Sequence, residues 1–136
     1  MTTKIMGIIL LICTGIIACK KENTTPPKTT QDKLLGKWNW VTDIENDFYN
    51  GTSHVTTYPL SAGSYWEFGN DGKVIQYDTG GTLIYDFAIV SDTQVWFVYP
   101  GNVYVLKTLT ANDLQLYKKV VTSATEYYET TTTFKK

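Results

Sequence analysis

Arginine is absent from this 136-residue chain, histidine occurs once and cysteine twice. Each scarcity removes a class of chemistry. Without arginine there is no planar fork for tight bidentate recognition of phosphate. With His54 as the lone imidazole and no cysteine cluster, a zinc site has too few ligands to assemble. A Ser-His-Asp arrangement would depend on His54 alone, in a stretch without a nucleophile motif. His54 therefore reads as an exposed loop or strand residue. The formal charge of −1 leaves no basic stripe for nucleic acid. Gly80-Gly81 is a turn signal and not a phosphate cradle, since no helix start follows it. Glu126 and Glu129, three apart, fall on opposite faces of a strand and make a poor acid–base pair. Asp43, Glu45 and Asp47 alternate onto one strand face, which reads as a solvated rim and not as a calcium loop. The expectation is a chain that is not an enzyme, holds no metal or cofactor, binds no nucleic acid and is monomeric.

Apolar residues do run together at the N-terminus. Lys4 precedes Ile5 to Ile17, a run short of the ~20 residues that span a bilayer, and small Ala18 precedes Cys19. Residues 1–18 thus read as an export signal. Ile16-Ile17-Ala18-Cys19 resembles a bacterial lipobox. The resemblance implies cleavage before Cys19, acylation of its thiol and amino group, and a lipid bilayer as partner. Lys20 stands where an aspartate would favour inner-membrane retention, so the expected location is the bacterial cell envelope, at the outer membrane. Losing Lys4 leaves eleven lysines against thirteen acids, and no second cysteine for a disulfide. After Cys19, "KKENTTPPKTTQDK" contains no large apolar residue, so residues 19–33 are expected to form a flexible tether.

Residues 34–136 suffice for one domain, and their pattern has period two. Ser64, Trp66 and Phe68 share one face of a strand. Leu83, Tyr85, Phe87 and Ile89 share another, and Trp96 with Val98 opposes Phe97 with Tyr99. Val103, Val105 and Leu109 oppose Tyr104 and Leu106; Leu114, Leu116 and Val120 oppose Gln115 and Tyr117. Turn chemistry separates the runs, most clearly at Asp71-Gly72. The stretch Tyr49 to Leu60 reads as one strand between longer loops. The tail forms a last hairpin, turning near Thr122-Ser123-Ala124, whose second arm is an edge or barrel-closing strand with terminal lysines that discourage association. The fold class is all-β: an antiparallel up-and-down barrel of about eight strands, since closure removes both edges of a meander.

Gly36-Lys37-Trp38 resembles the G-x-W signature that opens lipocalins. With "YWEFGNDGKV" and "YVLKTLTANDLQL" following in order, residues 34–120 resemble the lipocalin-like domains of lipoproteins from Bacteroidetes-type bacteria. The late arginine, the middle-loop signature and the terminal helix of lipocalins are missing. The resemblance therefore implies a compact calyx-like barrel, which is either filled by its own side chains or holds one small molecule.

Aromatic residues fit either state. Trp38, Trp40, Trp66, Phe68, Tyr85, Phe87 and Trp96 are the candidates to line a cup for a small apolar ligand. The alternative is that they fill the barrel, leaving an envelope interaction module that meets protein or glycan through its surface.

Overall fold

The computed structural model describes residues 26–136. The expected signal segment, Cys19 and the first part of the tether, through residue 25, lie outside the described residues. Nine strands follow one short helix: β1 (Gly36–Tyr49), β2 (Thr52–Pro59), β3 (Tyr65–Phe68), β4 (Lys73–Asp78), β5 (Gly81–Ser91), β6 (Gln94–Phe97), β7 (Asn102–Leu109), β8 (Asp113–Ser123) and β9 (Glu126–Lys135). The sheet order is β2-β1-β3-β4-β5-β6-β7-β8-β9, and β1 also pairs with β9. Eight antiparallel strands thus close into a barrel, and β2 is an extra strand outside the ring.

Local chemistry explains the short connections. The Asp71 carboxylate accepts the Lys73 N–H at 3.1 Å, and Gly72 takes φ 77°. Asp78 does the same for Gly80 at 2.7 Å. In the β7–β8 turn, the Thr110 hydroxyl accepts the N–H of Asp113 at 3.0 Å. Each side chain stands in for a missing backbone partner, so the chain reverses within a few residues.

Two expectations need correction, and a third is resolved. Residues 49–60 do hold a strand, β2, but no long loop leads into it: Asn50 and Gly51, at φ 51° and 75°, turn β1 tightly into β2. A type I′ turn needs positive φ at both central residues, which Asn-Gly supplies. The end of the tether is not featureless, because Thr30–Leu34 form helix α1. Thr29 accepts the Asp32 N–H and the Asp32 carboxylate accepts the Thr29 N–H, a reciprocal cap that the polar composition conceals. Of the two roles expected for the second arm of the last hairpin, strand β9 takes the barrel-closing one, between β8 and β1, and Lys135 there pairs with Asp113.

Four register shifts, after Trp40, Ile89, Leu106 and Val121, bend the strands round the barrel. The one beyond Leu106 moves Leu109 onto the core side with Tyr104 and Leu106, away from Val103 and Val105.

Leu34, Trp38, Phe68, Phe97, Leu114, Leu116 and Phe134 meet inside and are almost wholly buried. Rings pack edge to face, Phe68 on Phe87 at 5.2 Å and Trp66 on Phe97 at 5.5 Å, the favoured geometry of aromatic quadrupoles. Helix α1 floors this end. Trp38 donates its indole N–H to the Leu34 carbonyl at 2.7 Å, and Thr30 donates to the Asp92 carboxylate at 3.2 Å. Lys136 donates to the Leu35 carbonyl and holds its ammonium 4.2 Å from the Trp38 ring centre.

Strand β1 is long enough to serve twice. Its first residues pair with β3 and its later ones with β2, while β9 follows almost its whole length on the other side. At the end opposite α1, β2, β1, β9 and β8 therefore rise together as a wall beside an open mouth.

Candidate functional site

The mouth holds a cup of about 230 Å³, bounded by the tall wall and by the shorter strands facing it. Trp40, Trp66, Tyr85 and Tyr104 form its aromatic sides, and Tyr99 and Pro100 stand at its lip. Trp40 meets Trp66 edge-on at 5.7 Å, so the two indoles make a corner.

Charged and polar groups share this space. Asp43 and Glu45 come from β1, Gln76 from β4, Lys118 from β8, and Tyr128, Thr130 and Thr132 from β9. The parity follows from the strands. Thr130 and Thr132 continue the inward face of Phe134, and Lys118 continues that of Leu114 and Leu116. Asp43 and Glu45 face inward because the register shift after Trp40 advances the phase of β1.

The cup is held by specific bonds. Trp40 donates its indole N–H to Asp43 Oδ1 at 3.1 Å. Tyr128 donates its hydroxyl to Glu45 Oε1 at 2.8 Å, joining residues 83 apart in sequence across the closing seam. Tyr85 donates to Gln76 Oε1 at 2.9 Å, which leaves the Gln76 amide N–H groups facing elsewhere. Lys118 sits with its ammonium 5.3 Å from the Tyr128 ring centre and 5.5 Å from that of Tyr104. Trp66 is 7% exposed, and its N–H has no acceptor among the described residues.

Burial sets the protonation of these groups. It pushes the Asp43 carboxyl above its ordinary value, against the Trp40 bond that favours the charged form. The Tyr104 hydroxyl is pushed up to about 12, chiefly by burial and further by the charges of Tyr128 and Asp43. Tyr85 rises as well, again from burial. Both phenols remain neutral donors at any physiological pH.

The aromatic candidates divide three ways. Trp40, Trp66 and Tyr85 line the cup. Trp38, Phe68 and Phe87 fill the barrel below it. Trp96 lies outside: on β6, Val95 and Phe97 take the interior, and Trp96 faces solvent at 38% exposure. Of the acidic trio, Asp43 and Glu45 are half-buried in the cup and only Asp47 is exposed, so the solvated-rim reading applies to Asp47 alone. His54 is exposed on β2, as expected, and stacks on Tyr49 at 4.3 Å. Gln76, Lys118, Tyr128 and the two threonines escaped the sequence reading. Lys118 carried a usable signal, two residues beyond the inward Leu116. Among the described residues, no three His, Cys, Asp or Glu side chains converge to hold a metal ion.

No helix among the described residues is long and apolar enough to cross a membrane. Compared with protein-family models, with curated proteins and with solved structures, the chain matches none.

Proposed function

We propose that this chain is a lipid-anchored envelope protein whose barrel binds a small, ring-bearing ligand with a polar edge in the open cup. One observation carries the reading: ring faces from Trp40, Trp66, Tyr85 and Tyr104 surround a space that Asp43, Glu45 and Lys118 also enter. Side chains serving only as filler would be apolar, because an apolar side chain fills space without the hydration that a charge gives up. The floor below is packed solid by Trp38, Phe68, Phe97 and Phe134, which leaves no channel for a long acyl chain. The cup is smaller than the ~300–1,000 Å³ of most drug-sized pockets, so one ring is its natural cargo. A ligand acceptor near Trp66 would also offset the cost of its unpaired N–H, on the order of 1–3 kcal/mol. The anchor rests on the sequence around Cys19.

Titration with single-ring phenols, indoles and monosaccharides, set beside fatty acids, tests the cup through tryptophan emission. The expected result is a saturable change with a ring compound that Glu45→Gln or Trp66→Phe weakens at least tenfold, and none with fatty acids. No saturable response across the ring panel would reject the reading. The anchor is tested separately: Cys19→Ser should move the protein from the membrane to the soluble fraction.

A second reading, an interaction module that works through its outer surface, is favoured by one observation. Strand β2 is exposed along its entire length.

A further inference from the structure

Strand β2 pairs with β1 along one edge, and no strand among the described residues covers the other. The phase of its hydrogen bonds follows from the turn. The Asn50-Gly51 loop closes on the Tyr49–Thr52 pair, so Thr52, His54, Thr56 and Tyr58 turn their backbone groups toward β1. Leu60, next in that phase, donates its N–H to the Val41 carbonyl at 3.3 Å. Ser53, Val55 and Thr57 must then direct their N–H and C=O groups away from the barrel.

Such a row of open backbone groups is a template for another strand, and proteins usually blunt it with lysine, proline or a bulge. Here those devices are missing. "TSHVTTYP" contains no charged residue, its register with β1 is unbroken, and its one proline, Pro59, stands at the end. The terminal lysines are spent elsewhere, on Asp113 and on the floor.

We propose that β2 is a dimerisation edge, on which a second copy of this chain lays its own β2 antiparallel about a two-fold axis at Val55. The register is self-complementary. Val55 of one copy meets Val55 of the other, and Ser53 meets Thr57 twice, which engages the outward groups of all three residues in about six backbone hydrogen bonds. A neutral strand meets its own copy without like-charge repulsion, and it offers a charged peptide nothing to select. Val55 and Thr57 suit a paired strand, and Val55, at 64% exposure, gains a cross-strand contact. Pairing about a two-fold axis is closed, so it uses up the free edge and stops at two. This inference replaces the monomer expected from the sequence and does not depend on what the cup binds.

The test measures the mass of the full chain in mild detergent by light scattering over a concentration series, for the native protein and three variants. Thr57→Pro removes an outward N–H and leaves the bonds to β1 untouched. Val55→Lys brings two ammonium groups together at the axis, on a side chain exposed enough to leave the fold intact. Val55→Ile is the conservative control. The expected result is a reversible dimer whose dissociation constant rises at least tenfold in Thr57→Pro and Val55→Lys, and stays unchanged in Val55→Ile, with the same β circular dichroism throughout. A native protein that remains monomeric up to about 100 µM overturns the proposal. So does a dimer indifferent to Val55→Lys, which would have to form elsewhere, and so does open-ended oligomerisation.

Discussion

The indole N–H of Trp38 donates to the carbonyl oxygen of Leu34 across 2.7 Å, and both residues are wholly buried. This bond fastens the floor helix to the first barrel strand. Trp38→Phe should cost about 1–3 kcal/mol, because it strands a buried carbonyl as well as removing volume. Trp38→Ala should cost about 3–5 kcal/mol, the usual range for emptying a large aromatic site. Urea unfolding, followed by the remaining tryptophans, measures both.

Glu129 on the outer face of β9 answers to acid in the ordinary direction. Burial pushes its carboxyl up, but Lys119, Tyr117 and Asn46 donate to it at 3.0, 2.8 and 3.3 Å and together hold it below its usual value. Its contribution is therefore present above the unfolded carboxylate pKa and is lost as pH falls through the folded one. Stability curves of Glu129→Gln and the native chain should converge in acid and separate by about 1–2 kcal/mol at neutral pH. Parallel curves would contradict this.

Asp43 carries the opposite sign. Its carboxyl is raised by burial, so the charged form is disfavoured in the folded barrel. Its penalty is absent below the unfolded pKa, grows as pH rises toward the folded value, and is full above it. Asp43→Asn, which keeps an acceptor for Trp40, should raise the melting temperature at neutral pH and lose that advantage in acid.

At the alkaline end the cup itself titrates. Tyr104 ionises at about 12, whereas a free phenol does so near 10.0. The fold therefore loses stability as pH climbs through that interval, since the unfolded chain releases the proton first. Tyr104→Phe should flatten the decline, as seen in melting temperatures across an alkaline series. Ultraviolet titration should show a late phenolate step missing from the variant.

Much of the barrel was legible because alternation survives wherever a strand is regular. Trp66 and Phe68 share the interior with Ser64, as their spacing requires, and Asp71-Gly72 turns where glycine tolerates positive φ. Alternation names two faces but not which one is inside, so Trp96 and Phe97 were interchangeable until the neighbours of β6 were known. It also fails at each register shift. One extra residue after Trp40 carries Asp43 and Glu45 into the cup, and one after Leu106 carries Leu109 to the core. No single-strand pattern encodes such a shift, because it arises from the curvature of the closed sheet. The polar cup was hidden for a further reason: its groups come from β1, β4, β8 and β9, and only closure brings them together.

The capped helix at the floor decides which way the barrel looks. The chain enters through Thr29 beside that floor, while Tyr99, Pro100 and Tyr128 ring the far end. Entry point and aperture thus lie at opposite ends of the barrel, and a molecule reaches the cup from the side remote from Thr29.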